Sequence, residues 1–238
     1  MAGIASSNLT PKRTAVARGL HEHASSIASF FAARAVPQRI DVGGRLGRAA
    51  RQGDEVLLLL SGSVSATLSE PGGNELLVDL VEAPAVLNIE AFGSDRSLEY
   101  AAIVEPARWV ATSKVQFFAF GRDAPAAFEC LVESVARQMQ RRQELLYSIA
   151  FESVMARLAR LIGRYAELFA QPDTEGLRIP FALSHPALAQ SLGVSTRSID
   201  RCMKVMRATK RLRRRDGQII IHDLEALLSL AEDVEPPH

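Results

Sequence analysis

From His185 to Lys204 the chain reads HPALAQSLGVSTRSIDRCMK. Ser184 is placed to cap a helix with Pro186 in its first turn, where a missing N–H costs nothing. Leu188 and Leu192 supply that helix's buried face, and Ala189 is small enough for a second helix to cross closely. Gly193 permits the positive φ of a tight turn, Val194 plugs the corner, and Ser195 caps the next helix. The result is a helix-turn-helix.

At about 100° per residue, Arg201 and Lys204 fall within roughly 40° of Arg197, while Ile199, Cys202, Met203 and Met206 gather on the opposite side. One face is basic and the other packs, with Cys202 on the packed side. Downstream, Lys210 to Arg215 reads KRLRRR and leads into Asp216-Gly217, a hairpin-turn dipeptide, and the strand Gln218 to His222. A basic hairpin beside such a helix is a wing. From Ser195 to Gly217 nine Lys/Arg face two Asp, a local balance of +7, which is an electrostatic footprint for double-stranded DNA. The whole chain carries only +1, so the remainder sums to −6.

The 238 residues are 47% hydrophobic and 23% charged, enough for one or two globular domains and unlike collagen, low-complexity or disulfide-scaffold compositions. Cys130 and Cys202 form no CxxC pair, so an iron–sulfur cluster or zinc site lacks thiolates, and no metal ligand set is expected. No apolar run approaches the roughly 18–20 residues of a membrane span, and the N-terminal residues lack a signal-peptide centre. The expectation is a cytoplasmic chain without membrane partners. Between Pro37 and Phe120 there is no His or Cys, which argues against haem and against a cupin-type enzyme. His21 and His23 read as surface residues. No catalytic set is visible.

Nine glycines lie between Gly43 and Gly121, none between 122 and 162, and no proline between 126 and 171. Short apolar runs (Val56 to Leu60, Val64 to Leu68, Leu76 to Val81) separated by Ser61-Gly62-Ser63 and Pro71-Gly72-Gly73-Asn74 predict antiparallel strands over 36–121. The overall class is α+β. An Ala/Ser-rich extension over 1–35 predicts short helices covering the strands. Residues 122–150 predict one long helix on which Phe128, Val132, Val135, Met139, Arg142, Leu146 and Ile149 recur at heptad spacing. That stripe suits either an ordinary core helix or a dimer seam; its narrowness, with Glu129, Glu133, Arg137, Arg141 and Glu144 beside it, favours a parallel partner. A further helix over Phe151 to Phe169 and a short extended piece, Arg178 to Phe181, open the segment 151–238 that holds the winged motif.

This order of barrel, long helix and winged helix-turn-helix resembles the CRP/FNR superfamily of bacterial transcription regulators over about residues 36–231. It is strongest from Val135-Ala136-Arg137-Gln138-Met139-Gln140-Arg141-Arg142 through Ala150-Phe151-Glu152-Ser153-Val154-Met155-Ala156-Arg157-Leu158 to Gly217. The resemblance implies a cyclic-nucleotide-binding-like jelly roll over 36–121 that senses a small molecule, a dimerisation helix over 122–150, and a DNA-binding unit over 151–238. It also implies a homodimer on a pseudo-palindromic operator, and RNA polymerase as partner for an activator. Where the family's cyclic-AMP members carry a Gly-Glu-Leu and Arg-Ser-Ala cassette, this chain has Ile89-Glu90-Ala91 and Tyr100-Ala101-Ala102. Glu90 survives as a ribose contact, but Tyr100 supplies no charge for phosphate, so cyclic AMP is not expected to bind in the usual way. Arg96 is the nearest substitute.

Arg142, with Gln143 beside it, stands where the family places ligand contacts across the dimer. Two facing Arg142 side chains would repel without an anionic effector or an internal carboxylate. Arg45, Arg48 and Arg51 make cyclic di-GMP a candidate effector, and a barrel that has lost its ligand is the alternative. At the motif, Ser195-Thr196-Arg197-Ser198-Ile199 replaces the Ser-Arg-Glu-Thr-Val of many relatives, so the operator should differ. Arg197 and Arg201 are assigned to base edges, Ser195, Thr196 and Ser198 to phosphates or bases, and Lys204, Arg213, Arg214 and Arg215 to phosphates.

Overall fold

Alternation explains most of the N-terminal half. The structure is a computed structural model and describes residues 27, 29–31, 33, 35–46, 55–70, 72–93 and 98–231. Eight strands, β1 (Gln38–Ile40), β2 (Arg45–Leu46), β3 (Glu55–Ser61), β4 (Ser63–Ser69), β5 (Glu75–Glu82), β6 (Ala85–Leu87), β7 (Glu99–Ala102) and β8 (Ala107–Ser113), form two antiparallel sheets. Their orders are β1-β8-β3-β6 and β2-β7-β4-β5, a jelly-roll arrangement. In β4, Val64 and Ala66 are buried while Ser65 and Thr67 are only partly so, the period-two pattern of a strand with one wet face.

β3 departs from alternation, with Val56 to Leu59 all buried. Leu57 and Leu59 fill the barrel interior beside Tyr100 and Trp109. Val56 and Leu58 face outward into a second apolar layer with Phe117, Phe120, Leu131, Ile27 and Phe31. Of the expected N-terminal helices, only this last part falls among the described residues; Ile27 and Phe31 are each 1% exposed.

The helix expected over 122–150 is one helix from Pro125 to Phe151, and a separate helix precedes it. Helix α1 (Lys114–Asp123), capped by Ser113 accepting from the Gln116 N–H, packs on the barrel. Ala124-Pro125 then breaks the chain and α2 (Pro125–Phe151) begins with proline in its first turn. α2 buries Ala127, Leu131, Ser134, Gln138 and Ser148, with Ala127 and Leu131 in the apolar layer outside the barrel. Gln138 donates to the Val86 carbonyl at 2.9 Å, and Arg141 forks onto Asp79 at 2.7 and 2.8 Å. The expected seam is a different face. Val132, Met139, Leu146 and Ile149 are exposed, whereas Phe128 and Val135 pack partly into the outer apolar layer.

After an extended joint at Glu152-Ser153, α3 (Val154–Phe169) leads to β9 (Gln171–Asp173) and β10 (Gly176–Arg178). Then come α4 (His185–Leu192), α5 (Thr196–Ala208), the wing strands β11 (Leu212–Arg215) and β12 (Gln218–Ile221), and α6 (Leu224–Leu228). The wing belongs to a four-stranded sheet, β11-β12-β10-β9, rather than a lone hairpin. The C-terminal core takes in Leu77 and Leu80 of β5, so barrel and helix-turn-helix share buried surface.

Candidate nucleic-acid interface

Ser184 accepts from the Ala187 N–H at 3.2 Å and starts α4; Gly193, at φ +64°, ends it. The Val194 N–H then reaches the Ala189 carbonyl, and Ser195 caps α5 by accepting from the Ser198 N–H at 3.1 Å. α5 is clamped through Ile199, Cys202, Met203 and Met206, each 3% exposed or less, against α3 and α4. Burial raises the Cys202 thiol above its ordinary range, as befits a core position. The opposite side presents Thr196, Arg197, Arg201 and Lys204 to solvent, followed by Arg207 and Lys210. Among the described residues none of these five cations pairs with a carboxylate. Asp200, the one acid on α5, pairs with His185. The Ser195 and Ser198 hydroxyls bond each other at 2.9 Å, so their first task is the cap.

The wing has the expected turn but not the expected free arginines. Asp216 and Gly217 both hold positive φ, 53° and 79°, the paired left-handed conformation of a two-residue hairpin turn. Arg214, assigned to phosphate, instead turns inward and donates to the Leu183 and Gly217 carbonyls at 2.9 and 3.1 Å. Arg213 pairs with Glu175, and Arg215 with Asp173 at 2.6 Å. Arg211 donates to the Ala226 carbonyl. The β9–β10 turn therefore neutralises two wing cations and two more serve the fold, which concentrates the unpaired charge on α5. Asp173 and Glu175 lie some forty residues upstream and carried no sequence signal.

The candidate effector residues are also redistributed. Tyr100 is 1% exposed in the barrel interior, its hydroxyl accepting from the Asn88 N–H at 2.9 Å. It is a core residue, not a surface donor to phosphate. Glu90 pairs with Arg142, so the internal-carboxylate alternative for that arginine is the one realised. Gln143 is exposed. Arg45 forks onto Glu75 and reaches Glu99, which occupies the guanidinium offered for cyclic di-GMP. Arg96, Arg48, Arg51, His21 and His23 lie outside the described residues.

Residues 156–230, spanning α3 to the end of α6 and the wing sheet between them, match the Crp-like helix-turn-helix domain. The C-terminal segment is thus a helix-turn-helix domain of the Crp-like kind. It is 22% identical over 176 residues to a CRP-like cAMP-activated global transcriptional regulator of Mycobacterium tuberculosis, covering 74% of this chain and 79% of that one. In fold the whole chain is similar to a CooA mutant from Carboxydothermus hydrogenoformans, with TM-score 0.68, 16% identity, and coverage of 87% and 90%. It is also similar to the c-di-GMP responsive regulator CLP of Xanthomonas campestris, with TM-score 0.68, 18% identity, and coverage of 83% and 99%. Within the described residues no helix is long and apolar enough to cross a membrane.

Proposed function

We propose that the regulator acts in the cytoplasm as a homodimer joined along the exposed α2 stripe of Val132, Met139, Leu146 and Ile149. It would present two α5 helices to successive major grooves of a pseudo-palindromic operator, half-sites about 34 Å apart. The observation that carries this reading is the rigidly capped α5, whose unpaired Arg197, Arg201 and Lys204 share one exposed face. Arg197 and Arg201 read base edges, and Lys204, Arg207 and Lys210 hold phosphates. Where the complex activates, RNA polymerase is its partner.

Cyclic AMP is not the effector in the usual mode. That reading is supported by Tyr100 filling the barrel interior and by Glu90 engaging Arg142. An anionic effector acts elsewhere on the molecule. The test is a mobility shift on the DNA upstream of the protein's own coding region, with no ligand, with cyclic AMP and with cyclic di-GMP. The expected result is a salt-sensitive shift indifferent to both nucleotides. Arg201→Ala should lower operator affinity by about 1–3 kcal/mol while leaving random DNA nearly unaffected. No shift under any condition overturns the reading, and a cyclic-AMP-dependent shift overturns its effector half.

A further inference from the structure

A cleft of about 400 Å³ opens where β5, α2, α3 and the C-terminal end of α4 meet. That volume lies within the roughly 300–1,000 Å³ of small-molecule sites. Leu80, Leu145, Leu161 and Leu228 give it an apolar wall, and Arg141, Arg157, Arg160 and Arg164 give it a cationic one. Three of the four arginines have carboxylates: Arg141 has Asp79, Arg160 has Glu152, and Arg164 has Glu167.

Arg157 is different. It makes no ion pair among the described residues, and its Nη2 donates only to the Leu192 backbone carbonyl at the end of α4. Its Nε is buried without a hydrogen-bond partner. Burial holds this guanidinium below the ordinary arginine range, with Glu152 pulling it back up. A desolvated guanidinium without an ion-pair partner is costly, and an anion drawn into the cleft against its unpartnered Nε would relieve that cost with a charge-assisted bond.

We propose that this cleft binds an amphipathic anion, its carboxylate or phosphate on Arg157 and its apolar body on the leucine wall. An apolar wall beside one unsatisfied cation selects for both parts of such a molecule: a bare anion would leave the leucines wet, and a neutral apolar molecule would leave Arg157 unpaired. The site touches the barrel, α2 and the first helix of the DNA-binding motif, next to the Glu152-Ser153 joint. Occupancy therefore biases the orientation of α5 relative to α2, a shift between pre-existing orientations driven by differential affinity. That consequence rests on the DNA-binding reading above; the binding itself does not.

The experiment is calorimetric titration of the full chain with decanoate, decanol and inorganic phosphate, alongside the mobility shift. Decanoate is expected to bind, with decanol and phosphate each at least tenfold weaker. Arg157→Met should lower decanoate affinity at least tenfold. Leu145→Trp, which fills the cleft and keeps every charge, should do the same and stands as the readout if Arg157→Met does not fold. Decanoate binding equally to wild type and Leu145→Trp overturns the site, as does no binding, and phosphate binding as tightly as decanoate overturns the amphipathic requirement. A chain that binds DNA but not decanoate refutes the cleft alone; one that binds decanoate but no DNA refutes the regulatory reading alone.

Discussion

Replacing Arg141 is expected to cost far more than neutralising its partner. The Asp79 side chain is 3% exposed and accepts from Arg141 Nε and Nη2, at 2.7 and 2.8 Å, and from the Leu80 N–H at 2.8 Å. Arg141→Met leaves a buried carboxylate with one backbone donor, and breaking a buried pair from one side costs about 3–5 kcal/mol. Because Arg141 is 30% exposed, water reaches part of the site and the lower end of that range, about 3 kcal/mol, applies. Asp79→Asn keeps an acceptor for both Leu80 and Arg141, and the guanidinium left behind can hydrate, so about 1 kcal/mol is expected.

The decisive comparison is the double variant. Asp79→Asn in the Arg141→Met background removes the uncompensated charge, so it should restore most of the loss although it is itself destabilising alone. The readout is built in: Trp109 is the chain's single tryptophan and is 3% exposed inside the barrel, so its fluorescence follows barrel unfolding. At about 2–4 °C per kcal/mol for a chain of this size, Arg141→Met should lower the midpoint by roughly 6–12 °C. Equal losses in the two single variants, or no recovery in the double, would refute the assignment of a buried carboxylate that depends on Arg141.

Burial pushes the Tyr165 phenol up to about 12, above an ordinary value near 10, so its stabilising effect is whole below pH 10 and is lost as pH rises toward 12. Urea unfolding across that window should lose up to about 3 kcal/mol in wild type and markedly less in Tyr165→Phe; identical slopes refute the burial argument. Met139→Glu with Leu146→Glu should give a monomer by sedimentation equilibrium with unchanged Trp109 emission, and a persisting dimer would place the seam elsewhere. Lys204→Ala should reduce the log–log salt slope of DNA binding by about 0.9. Arg214→Ala should leave that slope intact and instead lower the thermal midpoint, because its guanidinium serves two carbonyls; the reverse pattern would return Arg214 to the phosphates.

The legible parts of this molecule were those written in local periodicity. Ile199, Cys202, Met203 and Met206 declare one face of α5, and Gly193 and Asp216-Gly217 declare turns whose φ values only a few residues tolerate. The α2 stripe was legible too, but its meaning was not. The residues α2 buries include Ser134, Gln138 and Ser148, polar residues that a hydrophobic pattern assigns to solvent. Gln138 is satisfied there by the Val86 carbonyl, a partner that distance along the chain conceals, and Ser148 by Glu152, one turn further along. The same blindness misplaced Arg214, which is chemically suited to phosphate but is held by backbone carbonyls that nothing in its own neighbourhood announces.

Charge follows the same logic at a larger scale. The +7 of residues 195–217 treats every cation as available, yet Arg213 and Arg215 meet Glu175 and Asp173, and Arg211 and Arg214 face carbonyls. What remains among the described residues is a compact patch of five cations without ion-pair partners, along and just beyond α5, flanked by a wing whose arginines already have partners. Exposed ion pairs are weak and screened by salt, so Asp173 and Glu175 do not bar Arg213 and Arg215 from phosphate; they make those contacts an exchange rather than a gain. On the proposed mode of binding, non-specific attraction is thereby trimmed while Arg197 and Arg201, on a helix anchored by the buried Ile199, Cys202, Met203 and Met206, keep their full charge for discrimination.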